Sequence, residues 1–252
     1  MRMQLLLLIA LLPAAALAVY IYRKDGIEHE PVQLLLRLAG FGALSCVPAA
    51  LAEMGLTGVF RLLGVPTASY LGSFLNAFAM AALCEELCKF YFLKRYSWRH
   101  PAFDYQFDGI VYAVTVSLGF AALENVQYVL QYGFSTGLVR AVTSVPGHAI
   151  FGVFMGYYYG FAKLAFYEGD RAKEQHYQRL AVIVPLLLHG TYDFFAMTMA
   201  FDERFTLLFF AFLAALYLLG LQRVNRSAKE DRRVDPDILQ RFYPDFRPPW
   251  QE

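Results

Sequence analysis

Charge is scarce in this chain. Only 17% of its 252 residues are Asp, Glu, Lys or Arg, where a soluble globular domain carries roughly 25%. With 58% hydrophobic residues and a mean hydropathy of +0.40, that shortage excludes an ordinary water-soluble domain and leaves a polytopic membrane protein. Cysteine is sparse too. Cys46, Cys84 and Cys88 all lie in apolar runs, so no disulfide framework is implied. Cys84 and Cys88 are one helical turn apart, but two thiols with no third ligand nearby read as packing residues rather than a metal pair. The chain has no Gly-rich phosphate loop, no HExxH helix and no internal repeat. Its net charge of +1 gives no reason to expect nucleic acid as a partner.

What it does have is long apolar runs. Residues 4–22, 32–54, 68–93, 109–132, 138–166, 180–201 and 205–224 each approach or exceed the ~20 residues a helix needs to cross the hydrocarbon core. The stretch 55–67 is too short to span and reads as a loop or interfacial turn. The expected fold is therefore all-α, a polytopic membrane helix bundle of about seven transmembrane helices over residues 1–225, followed by a cytoplasmic tail at 226–252. Basic residues test this count. If alternate connections share a side, 16 Lys and Arg fall on one side and 4 on the other, which places the N-terminus outside and the C-terminus in the cytoplasm. A signal peptide is the rival reading of the first run, since Ala16-Leu17-Ala18 resembles a cleavage site. Cleavage there would strand Arg23 and Lys24 on the wrong side, so the run is read as a retained span. Tyr157 to Tyr159 read as an interfacial aromatic belt.

Against this background a few polar residues stand out. Glu85, Glu86 and Lys89 lie inside the run 68–93, where each ionisable group costs roughly 2.5–3.5 kcal/mol on insertion scales and belongs in a protein interior. Later runs supply groups to meet them: Glu124 and Asn125, then His148, then His189 and Asp193 one turn apart. His148, Gly152, Gly156 and Gly160 recur every four residues, a small-residue stripe that admits another helix at close range and aims the histidine inward. Pro146 is expected to open the backbone beside it. Two charged neighbours at Glu85 and Glu86 are hard to sustain together, so one is expected to work while the other is paired or protonated, with Lys89 as ion-pair partner.

These residue types permit hydrolysis. A buried carboxylate can act as general base on water, and an imidazole can polarise a carbonyl and stabilise an oxyanion. No serine or cysteine is comparably placed for covalent catalysis. A divalent metal held by Glu85, His148 and His189 is the alternative mechanism. Buried Glu, His and Asp also build proton relays, so a proton-coupled transporter, or a noncatalytic membrane scaffold, is the alternative function. The repeated halves of many transporters are not evident.

The motifs Glu85-Glu86-x-x-Lys89, Phe120-x-x-x-Glu124-Asn125, His148 and His189-x-x-x-Asp193, in this order, resemble the PrsW family of glutamic-type intramembrane proteases. That family belongs to the wider CaaX-protease and bacteriocin-processing superfamily. The likeness covers a core of about 68–200. Many CaaX-type relatives have histidine in the second motif, whereas Glu124 here is the PrsW-like variant and argues against prenylated-protein processing. The resemblance implies an intramembrane endopeptidase of a bacterial membrane, acting on membrane-protein substrates such as a membrane-spanning anti-sigma factor. It implies Glu85 as base supported by Glu86 and Lys89, His148 and His189 as water-positioning and oxyanion groups, Asp193 orienting His189, and Glu124 completing the site. It implies no cofactor.

Overall fold

Proline decides where two of the apolar runs break. In a helix the prolyl ring collides with the carbonyl four residues earlier, which for Pro48 is Leu44 and for Pro146 is Val142. In the computed structural model, which describes residues 3–66 and 68–234, helix α2 (Val32–Leu44) ends at the first of these carbonyls. The next helix is α3 (Cys46–Leu62). Between Gly133 and Thr143 the same pattern recurs: α7 (Phe134–Val142) ends at the second carbonyl and α8 (Ser144–Tyr167) follows. Each proline thus sits in a first helical turn, where a missing N–H costs nothing. The released Val142 carbonyl accepts a hydrogen bond from the Tyr217 hydroxyl. Pro146 does open the backbone, but the break lies three residues upstream of it, at Thr143.

The remaining helices are α1 (Met3–Lys24), α4 (Tyr70–Phe74), α5 (Leu83–Ser97), α6 (Asp108–Tyr132), α9 (Arg171–Thr198) and α10 (Arg204–Lys229), with a π-helical segment, Leu75–Ala82, joining α4 to α5. Among the described residues seven stretches, some of them broken helices, are long and apolar enough to cross a membrane. The expected all-α bundle is therefore observed. Among the described residues the one β pairing is an isolated Tyr105–Arg233 bridge.

Three boundaries differ from the sequence reading. The expected loop at 55–67 is helical as far as Leu62. Gly55 and Gly58 have open space around them, and an isolated glycine costs a helix only about 1 kcal/mol. The helix stops instead at Gly64, whose φ of 70° gives the left-handed turn that ends many helices. The fifth run starts at Phe134, after Gly133 at φ 88°. At the other end α10 continues to Lys229, past the expected domain limit at 225. Residues 235–252 of the expected tail, and Arg2, lie outside the described residues.

Helix α6 is the centre of the bundle. Every residue from Asp108 to Ala121 is buried, as befits a helix hydrophobic on all sides, and it packs against α1, α2 and α8. Glycines make these contacts close. A methyl group at Gly152, Gly156 or Gly160 would strike the α6 backbone or the Gln106 carbonyl just before it, and one at Gly42 or Gly119 would strike backbone across the α2–α6 contact. In lipid, where apolar surface has nothing to gain by leaving water, such backbone approach is what holds helices together. Gly156→Leu should therefore cost about 3 kcal/mol or more of stability, the upper range for overpacking. Gly58→Ala should be neutral or slightly stabilising. Thermal unfolding of both variants in detergent checks the contrast.

The two ends of the bundle differ. At one end residues 98–107 meet the segment 230–234, through Val234 N–H to the Asp104 carbonyl (2.6 Å) and Phe107 N–H to Asp231 Oδ1 (2.8 Å). Arg23 and Lys24, at the last turn of α1, lie at this end, with Lys24 donating to Asn225 (2.7 Å). At the opposite end the Tyr70 hydroxyl donates to Asp202 (2.7 Å). Tyr159 departs from the aromatic-belt reading. It is fully buried, hydrogen bonded to Ser97 (2.9 Å) and stacked on Phe103, so it is a core residue.

Candidate active site

The π-helical segment brings the Glu85 region against α9. A π turn is wider than an α turn and is common beside functional sites. Here it presents Phe78 to Gly190, where any side chain would overlap the Phe78 ring. His189, next to that glycine, is thereby held against the first turn of α5. His148 arrives from α8, whose glycine stripe presses it toward α6.

These helices converge on Lys89. Its ammonium is fully buried and lies 3.0 Å from Glu85 Oε2, 2.8 Å from Glu86 Oε1 and 3.1 Å from His148 Nδ1. A lysine has three N–H donors and no acceptor, so these contacts use all three. They also fix the tautomer of His148: Nδ1 accepts, leaving the proton on Nε2, which donates to Glu124 Oε2 at 3.0 Å. Below the ammonium lies the Phe120 ring, its centroid 4.1 Å away, a favourable cation–π placement. His189 Nδ1 donates to Glu86 Oε1 at 2.9 Å, and its Nε2 faces Asp193 Oδ2 at 3.3 Å and Glu85 Oε2 at 4.0 Å. Phe151 stacks on the His189 ring.

A cavity of about 820 Å³ opens on one side of this cluster, lined by Glu85, His148, His189, Asp193 and Glu124. It lies in the half of the bundle toward the Tyr70–Asp202 end. Glu86 and Lys89 stand behind it and do not line it. Of the two adjacent glutamates, then, Glu85 faces the space a substrate would use and Glu86 is paired. Asn125 is brought elsewhere. It is buried against α1, donating to the Ala10 carbonyl (3.0 Å) and accepting from Arg140 (3.0 Å), so it joins α1 to the bundle rather than facing the cavity. Cys88 packs beside Cys46, Ala49 and Phe120.

The family model described as "PrsW family intramembrane metalloprotease" matches residues 30–219. The chain belongs to the PrsW family. It is 37% identical over 215 residues to Protease PrsW of Oceanobacillus iheyensis, covering 85% of this chain and 92% of that one. To Protease PrsW of Bacillus subtilis it is 36% identical over 223 residues (88% and 94%). To that of Clostridioides difficile it is 30% identical over 234 (91% and 94%). No solved structure matches the chain. As a PrsW-family protease it is a peptide hydrolase and an integral membrane protein that acts on membrane proteins.

Two charged groups at this cavity are not among those the sequence points to. Arg140 pairs with Glu124 (2.8 Å), and both line the cavity. Arg140 falls near the start of the run 138–166, and the sequence gives no sign of this pairing because the break at Thr143 puts it on a separate helix, α7. Glu53 also lines the cavity. It fell at the boundary between an expected span and an expected loop, and only the continuation of α3 turns it inward.

The family is described as one of metalloproteases. Glu85, Glu86, His148 and His189 each offer a ligand atom, all within 4.8 Å of one another. The residue types suit a divalent ion. Their arrangement does not. Lys89 Nζ already sits among three of these four groups, and both nitrogens of His148 are engaged. An ion there would have to evict a buried ammonium and leave it unpaired.

Proposed function

We propose that this PrsW-family member cleaves membrane-spanning substrates by glutamate-activated water, without a metal, and that its substrate class is the membrane-spanning anti-sigma factor the family resemblance implies. The observation that carries the mechanism is Lys89, which fills the centre of the carboxylate–histidine cluster with a built-in cation and leaves Glu85 and His189 facing the cavity. Glu85 Oε2 and His189 Nε2 are 4.0 Å apart, too far for a direct hydrogen bond and within reach of one bridging water.

The chemistry follows from that placement. Glu85 takes a proton from the water as the oxygen attacks the scissile carbonyl carbon. The Nε2–H of His189, beside Asp193 at 3.3 Å, is shared with the oxyanion that forms, while Nδ1–H stays on Glu86. Glu85 then returns the proton to the departing amine nitrogen, the C–N bond breaks, and the products are a carboxylate and an amine. Glu86 and Asp193 hold the His189 ring from its two nitrogens, and Glu124 with Arg140 holds His148. Each is thus a positioning residue.

The test uses the full-length protein in lipid vesicles with a single-span anti-sigma factor. Cleavage should fall in the half of the span that reaches the cavity, and should persist after prolonged treatment with a strong chelator. Loss of cleavage on chelation, restored by adding back zinc, would overturn the metal-free mechanism. Absence of any cut in such a substrate would overturn the substrate class.

A further inference from the structure

A second cluster of buried acids lies at the opposite end of the bundle, remote from the cavity. Asp25 follows α1, Glu30 precedes α2, and Asp108 begins α6; they are 2%, 4% and 1% exposed. Each offers an oxygen, and these oxygens lie within 4.8 Å of one another. Much of their bonding capacity is spoken for. The Tyr112 hydroxyl donates to Glu30, and the backbone N–H groups of Asp104 (3.0 Å) and Tyr105 (2.7 Å) donate to Asp108 Oδ2. Asp25 Oδ2 is the exception, being buried with no hydrogen-bond partner. Of the nearby basic groups, Lys24 turns to Asn225 and Arg233 to Asp104 at 3.7 Å, while Lys163 and His29 act on Asp108 and Asp25 without a hydrogen bond to either.

A buried carboxylate oxygen left without a partner is costly, and two further carboxylates at this range add repulsion. A hard cation bound through oxygens meets both demands. Oxygen ligands on opposite sides of a calcium ion are about 4.6–5.2 Å apart, and on magnesium about 4.0–4.2 Å. Oxygens within 4.8 Å of one another therefore need little movement to close on either ion. We infer that Asp25, Glu30 and Asp108 form a divalent-cation site that clamps the 25–31 connection to the start of α6. Such a site is structural, because it touches none of the groups around Glu85. It also fastens α1 to the core at the end opposite Asn125, so that the first helix is held at two points.

Manganese serves as the probe, being a hard dication that can be counted by electron paramagnetic resonance. Purified full-length protein in detergent should take up one Mn²⁺ per chain, displaced by excess Mg²⁺ or Ca²⁺, and the same ions should raise its Tm. Asp25→Asn should weaken Mn²⁺ binding at least tenfold and abolish the Tm increase, and Glu30→Gln supplies the same test if the first variant does not fold. Glu85→Gln should bind Mn²⁺ as the parent protein does. Absence of saturable binding in the unaltered protein would overturn the site and leave protons shared between the carboxyls as what neutralises them. So would binding that survives both Asp25→Asn and Glu30→Gln. Binding lost in Glu85→Gln but kept in Asp25→Asn would place the ion in the catalytic cluster, overturning this inference and the metal-free mechanism together.

Discussion

Glu85→Gln is expected to abolish cleavage while the protein folds and inserts as before. Glutamine has the same shape, and its amide oxygen can still accept from Lys89, so the cluster of Lys89, Glu86 and His148 survives. What disappears is an oxygen able to take and return a proton at the edge of the cavity. General-base catalysis contributes roughly 10²–10⁴-fold, and the loss should appear in kcat, with KM nearly unchanged because Glu85 contacts water rather than the substrate side chains. Glu86→Gln should behave differently. Its Oε1 accepts from both Lys89 and His189 (2.8 and 2.9 Å), and it does not line the cavity, so its loss should lower activity by loosening two other groups. Cleavage and thermal stability, measured together on both variants, separate the roles. Glu85→Gln retaining a tenth or more of the parent rate would remove it as the base.

Much of this site was legible because intramembrane charge is expensive. Glu85, Glu86, Lys89, Glu124, His148, His189 and Asp193 each interrupt an apolar run, and six of the seven belong to one hydrogen-bonded cluster with Lys89 and His189 as its hubs. Asp193 completes the set at the open edge. The seven spans were legible for the same reason. What sequence did not reveal depended on backbone detail that hydropathy does not encode. The division of labour between Glu85 and Glu86 comes from a π-helical approach that sets which carboxylate meets the cavity. The pairing of Arg140 with Glu124 depends on a helix break fixed by Pro146. Asn125, grouped with Glu124 by adjacency, points about 100° around the helix from it and faces α1. Asp25 and Glu30 share the 25–31 connection while Asp108 lies far along the chain, so nothing in the sequence shows that the three acids meet.

Lys89→Met should be the most damaging single substitution for stability. The ammonium is 0% exposed and is the shared donor to two carboxylates and an imidazole. Methionine fills much the same volume and leaves those acceptors buried with nothing to meet them, and breaking a buried ion pair from one side typically costs about 3–5 kcal/mol. Lys89→Arg is not a mild alternative, because a planar fork with five donors cannot replace a compact ammonium against the Phe120 ring without displacing it. Removing the partner charge as well changes the outcome. In the double variant Lys89→Met with Glu86→Gln, one stranded carboxylate is gone and a substantial part of the lost stability should return, since the pair is coupled. Activity should not return, because Glu85 and His148 still lack the donor that positions them. The comparison is made by denaturation in mixed micelles alongside cleavage of the same substrate. A Lys89→Met protein within about 1 kcal/mol of the parent would show that the ammonium contributes little to the cluster. A Lys89→Met protein whose cleavage is restored by zinc would show that the ion, and not the lysine, is the cation this arrangement of acids and histidines was built to hold.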